Sequence, residues 1–180
     1  MDMNNKVTAP VGVVSMGPSE AAETLRLLID GPVVMVSPYD LAMGRVRGEE
    51  LRALVVENFH PQREEGLSEY GAARWAGRGR PPLTVISLDD PAGRRLAGGR
   101  DRRVFTYSDG CTRADLTAKN VNLRREGLEF EALIDGDMAR IYLPGERGLY
   151  GTLAALACAL GLGMPLGHAA ERLRGRRHRG

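Results

Sequence analysis

Residues 142–163, YLPGERGLYGTLAALACALGLG, decide the fold. Tyr142 and Leu143 read as the end of a strand, Pro144-Gly145 as a turn, and the remainder as a long helix rich in small residues. Ala154, Ala155, Ala157, Cys158 and Ala159 give that helix a narrow flank able to lie close against a sheet. Leu149, Leu153, Leu156 and Leu160 recur at the three- and four-residue spacing of a buried helical face. In many nucleotide-binding α/β folds a helix start of this kind receives a ligand. The entry residues here are Glu146, Arg147 and Gly148, and whether they bind anything is the functional question.

Immediately upstream, 115–123, 128–134 and 138–143 are three strand-like runs with no helix between them. Asp135-Gly136 joins the last two and is a strong hairpin signal. Leu128, Phe130, Ala132 and Ile134 alternate with Glu129, Glu131 and Leu133, so one face is covered and the other mostly wet. This predicts a small antiparallel meander of three strands. Further upstream the pattern alternates strand and helix. Strands are expected at 11–15 (VGVVS), 33–37, 54–59, 83–88 and 104–107. Helices are expected at 20–29, with Ser19 as N-cap, at 68–76, and from Pro91 through Leu96. A last helix is expected at 165–173. Alternation at this spacing argues for a mostly parallel sheet flanked by helices, with the meander appended to it.

The composition is that of a single globular domain. At 180 residues, 43% hydrophobic and 27% charged, the chain can bury one good core and belongs to neither the disordered nor the membrane class. No apolar run reaches the roughly 18 residues of a spanning helix, and the opening MDMNNKV lacks a signal layout. A cytoplasmic protein is the resulting expectation. Cys111 and Cys158 are too few for a disulfide framework, and Cys158 reads as a small core residue. The formal charge of +2 does not argue for nucleic acid. Arginine carries nearly all the positive charge, and the tail at 171–180, ERLRGRRHRG, reads as a solvated terminus.

Landmarks in a fixed order resemble the central, ATP-binding domain of the Mur ligases and their folylpolyglutamate and cyanophycin synthetase relatives. The family's strand followed by Asn-Ala-Asp-Asp-Pro is matched by VISLDDP at 85–91, and its strand ending in Thr-Tyr-Gly by FTYSDG at 105–110. Its Ala-Asp-x-x-Ala entry is matched at 114–118. Its Pro-Gly-x-His-Asn-x-x-Asn-Ala-x-Ala-Ala helix start is matched by PGERGLYGTLAA at 144–155. The resemblance runs well from about 85 to 173 and is weaker before. It implies a P-loop NTPase-like sheet, and a stand-alone middle piece without the N-terminal carrier-substrate domain or the C-terminal ligase domain. It also implies chemistry in which ATP phosphorylates a carboxylate and an amine attacks the acyl phosphate, with the central domain holding triphosphate and magnesium.

Position by position, the equipment implied by that resemblance is altered. Where the family has Thr-Gly-Thr-Asn-Gly-Lys-Thr, residues 14–20 read VSMGPSE. No lysine is present, Pro18 removes an amide donor, and Glu20 adds a negative charge where phosphate should sit; Gly17, Pro18, Ser19 and Glu20 form a vestigial phosphate loop. The family's magnesium-binding glutamate maps to Met35, which cannot hold a hard cation. Its histidine and preceding acid map to Arg63 and Gln62, with Glu64, Glu65 and the lone His60 nearby. The lysine that many relatives carbamylate maps to Arg74, next to Trp75. The adenine-side asparagines map to Gly148 and Gly151, and the histidine before them to Arg147.

These changes lead to the expectation of a non-catalytic Mur-ligase-like protein with no catalytic residues, no metal and no cofactor. It would bind a protein partner, a true ligase among them, or a second copy of itself. Arg63, Arg74 and Arg147 could gather as a site for a small anion. The alternative is an ATP- and magnesium-dependent amide ligase, or a subunit of one, completed by a partner chain. A weaker alternative is nucleic-acid binding through GRGRPP (77–82), GGRDRR (98–103) and the tail.

Overall fold

The computed structural model describes residues 8–15, 17–57, 81–98 and 104–175. Eight strands form one sheet in the order β2-β1-β3-β4-β5-β6-β7-β8. They are β1 (Val11–Val14), β2 (Val33–Val36), β3 (Ala53–Val56), β4 (Thr84–Ser87), β5 (Val104–Ser108), β6 (Leu116–Arg124), β7 (Gly127–Ile134) and β8 (Asp137–Pro144). Neighbours from β2 to β6 pair in parallel, and β6-β7-β8 is an antiparallel meander. The helices are α1 (Glu20–Leu28), α2 (Pro38–Ala42), α3 (Pro91–Ala97), α4 (Leu149–Gly161) and α5 (Leu166–Leu173), with a 3-10 turn at Gly48–Glu50.

The parallel strands are short and apolar because both faces are covered. Every residue of β1, β3 and β4 is buried. On one face Val11, Val13, Ala53, Val55 and Val85 pack with Leu25 and Leu28 of α1, Leu153 and Leu156 of α4, and Leu166 and Leu173 of α5. On the other, Val14, Val36, Leu54 and Val56 pack with Leu41 and Leu51. The meander joins the sheet through only two register pairs, Tyr107↔Leu116 and Ser108↔Thr117. Asp115 Oδ2 reinforces that seam by accepting from both the amide (2.7 Å) and the hydroxyl (2.8 Å) of Thr106.

The helix read as having one leucine face is buried on every side from Gly151 to Leu160. Its alanines and glycines allow this, because they let it lie close to α1 as well as to the sheet. Cys158 is part of that packing, and burial pushes its thiol up to about 12. Two features were not expected. Ser37 caps α2 by accepting from the Asp40 amide at 3.0 Å, with Pro38 in the first turn. β6 carries a register shift between Lys119 and Asn122, next to Asn120 at φ 52. β3 is Ala53–Val56 and Glu57 lies outside it; Asn58 and Phe59 of the expected strand lie outside the described residues. The helix expected at 68–76 lies outside the described residues. No helix among the described residues is long and apolar enough to cross a membrane.

Candidate functional site

Because β1, β3, β4 and β5 run in parallel, their carboxyl ends share one edge of the sheet. Glu57 directly after β3, the segments after β4 and β5, the start of α1 and the start of α4 meet there, as ligand sites in open α/β sheets do. A helix start leaves its first amides without internal partners, and negative charge is stabilised beside them. What occupies those amides therefore decides what the edge can do.

At α1 the chain supplies the partners itself. The Ala22 amide donates to Ser19 Oγ at 3.0 Å, and the Ala21 amide donates to Glu57 Oε1 at 3.0 Å. Glu57 is the residue immediately after β3, so the parallel pairing of β1 with β3 delivers its carboxylate to the neighbouring helix start. At α4 the same thing happens from the other direction. The Gly148 amide donates to Glu20 Oε2 at 2.8 Å, and Arg147 pairs with Glu23 at 3.0 Å. Thr152 Oγ1 closes the turn by donating to the Gly148 carbonyl at 2.9 Å.

A second polar group lies beyond these, at the ends of β4 and β5. The Asp89 carboxylate accepts from the Ser108 hydroxyl and, at 2.7 Å, from the Asp109 amide. Ser108 Oγ in turn accepts from the Cys111 amide at 2.9 Å. Tyr150, in the first turn of α4, lies close to Asp89. Burial and, after it, the nearby Asp89 carboxylate push its phenol up to about 12. Tyr107 is fully buried and donates to the Val56 carbonyl at 3.4 Å; burial, with smaller contributions from Glu57 and Asp89, raises its phenol well above the ordinary value. Both phenols are thus neutral donors, and neither is poised as a base.

The residues singled out in the sequence fall as follows. Ser19 and Glu20 are both at the edge and both engaged. Gly17 and Pro18 lead into α1, and an added Cβ at Gly17 would meet nothing within 4 Å. Met35 lies on the edge strand β2 and is exposed. Arg147 is held by Glu23, so it is tied to α1. Gly148 and Gly151 face Glu20, whose side chain fills the space that larger residues would need. His60, Gln62, Arg63, Glu64, Glu65, Arg74 and Trp75 lie outside the described residues. Among the described residues no three His, Cys, Asp or Glu side chains are grouped to hold a metal ion. Sequence reasoning assigned no role to Glu57, Asp89, Ser108 or Tyr150. For the first the sequence offers only an acid directly after a buried strand; its reach to the α1 start follows from the pairing of β3 with β1.

Comparison with known proteins sets this geometry in context. No family model matches the sequence. The chain is similar to the UDP-N-acetylmuramoyl-L-alanyl-D-glutamate–2,6-diaminopimelate ligase of Pseudomonas aeruginosa, at 36% identity over 144 residues, 73% of this chain and 29% of that one. The protein of the same description from Clostridium perfringens is 27% identical over 150 residues, 78% of this chain and 31% of its own. Among solved structures, a UDP-N-acetylmuramoyl-L-alanyl-D-glutamate–2,6-diaminopimelate ligase superposes with a TM-score of 0.74 at 15% identity, covering 93% of this chain and 46% of that one. A pseudomurein peptide ligase type C from Methanothermus fervidus gives 0.64 at 15% identity, covering 96% and 50%. The chain therefore spans under a third of the curated relatives' length.

Proposed function

The chain belongs to the Mur ligase family, and from that premise we propose that it is a non-catalytic member that works by binding, as a scaffold or regulator. The observation that carries this reading is the pair of in-chain carboxylates on the two helix starts, Glu57 on the Ala21 amide and Glu20 on the Gly148 amide. On the resemblance, a triphosphate would lie at the start of α1, where Glu57 holds the Ala21 amide, and the adenine side of the nucleotide beside Gly148, where Glu20 sits. A phosphate oxygen brought to about 4 Å from either carboxylate meets a repulsion of roughly 4 kcal/mol at an effective dielectric of about 20. Nothing between Ser15 and Glu20 offsets it, because that loop holds no lysine. Met35 stands where the resemblance implies a glutamate on magnesium, and a thioether is a poor ligand for a hard cation. On this reading the residues do not fit a magnesium triphosphate.

The partner is a protein, with a ligase of the same family and a second copy of this chain as the two candidates. Support comes from the apolar side chains exposed on β2 and its flanking helices: Leu27, Val34, Met35, Tyr39 and Met43. They lie on both faces around β2, the edge strand of the sheet, and an uncovered sheet edge with apolar side chains beside it offers a surface for a partner. The competing reading is an ATP-dependent amide ligase completed by a partner chain. Calorimetric titration of ATP with magnesium into the purified chain separates the two. The binding reading expects no saturable heat up to millimolar nucleotide. A saturating isotherm in the micromolar range would favour the ligase.

A further inference from the structure

We infer that Glu20 is an internal latch, a carboxylate that ties the start of α1 to the start of α4, with Gly148 and Gly151 as its seat. An acid in the first turn of a helix ordinarily serves the amides of its own helix. Those of α1 are already engaged, Ala21 by Glu57 and Ala22 by Ser19. Glu20 reaches the neighbouring helix instead and accepts from the Gly148 amide at 2.8 Å. Glu23, one turn further along α1, pairs with Arg147 at 3.0 Å. Two acids three residues apart on one helix thus grip two consecutive residues at the entry of the other.

The glycines show that the fit is mutual. A Cβ built on Gly148 would lie 2.1 Å from Glu20 Oε2, and its three nearest atoms all belong to Glu20. The backbone at Gly148, φ −84 and ψ 143, is one that any residue adopts. What a side chain at this position would meet first is therefore the Glu20 carboxylate. At Gly151 a Cβ would lie 2.6 Å from Glu20 Cβ and 3.1 Å from the Ala21 amide nitrogen, so the two helices touch at the backbone. Glu20 covers the α4 start from inside the chain, and an anion reaches the Gly148 amide only by displacing it.

The inference rests on this geometry and not on the absence of catalysis. Its test is amide hydrogen exchange, read by NMR on the full chain, for Glu20→Ala, Gly148→Ala and the two combined. In the parent, Glu20→Ala is expected to speed exchange of the amide at position 148 about tenfold or more, because a charge-assisted bond is lost. In the Gly148→Ala background the methyl already holds the carboxylate off its seat, so Glu20→Ala adds nothing. That non-additivity identifies the pair as one unit. Glu20→Gln, which keeps an acceptor and loses the charge, falls between. Equal acceleration by Glu20→Ala in both backgrounds, or none in either, would overturn the latch. Nucleotide binding by the parent chain would sink the proposed function and leave this outcome unchanged.

Discussion

Replacing Gly151 with leucine is expected to destabilise the chain by about 3 kcal/mol or more, the upper end of what overpacking costs. The position lies where α4 touches α1. Even a single methyl there would sit 2.6 Å from Glu20 Cβ and 3.1 Å from the Ala21 nitrogen. Neither obstacle is the far end of a flexible side chain, so a rotamer change cannot relieve the clash. The helices must separate, and α4 is the element that α1 and the sheet both pack on. Its alanines are buried on all sides, so separation on one side opens voids along the helix. For a chain of this size the loss corresponds to a fall in melting temperature of roughly 6–12 °C. Thermal and denaturant unfolding of the variant measure it; an unchanged midpoint would mean that the two helices are not in this contact.

Gly93→Ala is expected to be nearly as damaging, at about 3 kcal/mol, for a different reason. A Cβ at that position would lie 2.0 Å from the Ser87 carbonyl oxygen at the end of β4. α3 is thereby held tight against the strand, and Arg94 donates to the Leu88 carbonyl at 2.8 Å from the same turn. The loop between β4 and α3 carries Asp89, so moving α3 also disturbs the Ser108 and Asp109 contacts. The variant is therefore expected to lower the unfolding midpoint and to shift the backbone resonance of Asp109. A midpoint matching the parent would contradict the packing described for α3.

Much of the fold was legible because its signals are local. The small-residue helix, the Asp135-Gly136 hairpin, the alternation along Leu128–Ile134 and the Ser19 cap all depend on residues near in sequence, and each appears where expected. α2 was missed although Ser37-Pro38 with Asp40 spells a capped start, because five residues are too few to show a period. β3 was expected to include Glu57, which instead lies just past the last paired residue, Val56, with its carboxylate turned to the α1 start.

The site was legible only by half. The resemblance implies that Glu20 carries the wrong charge for a phosphate loop and that Gly148 and Gly151 stand where the family has side-chain amides. It does not show that these three residues meet. Residues 20 and 148 are 128 apart, and only the packing of α1 on α4 reveals that the carboxylate fills the room the glycines leave. Glu57 is similar: its role depends on β1 and β3 being neighbours, which no local pattern specifies. Arg147 carried the expectation of an anion site; the structure shows it ion-paired with Glu23, while Arg63 and Arg74 lie outside the described residues.

The most direct test is a crystal structure grown in a large excess of ATP and magnesium. The account predicts Glu20 on the Gly148 amide and Glu57 on the Ala21 amide, with no nucleotide over the start of α1. Phosphates seated on those amides, with both carboxylates swung away, would contradict it.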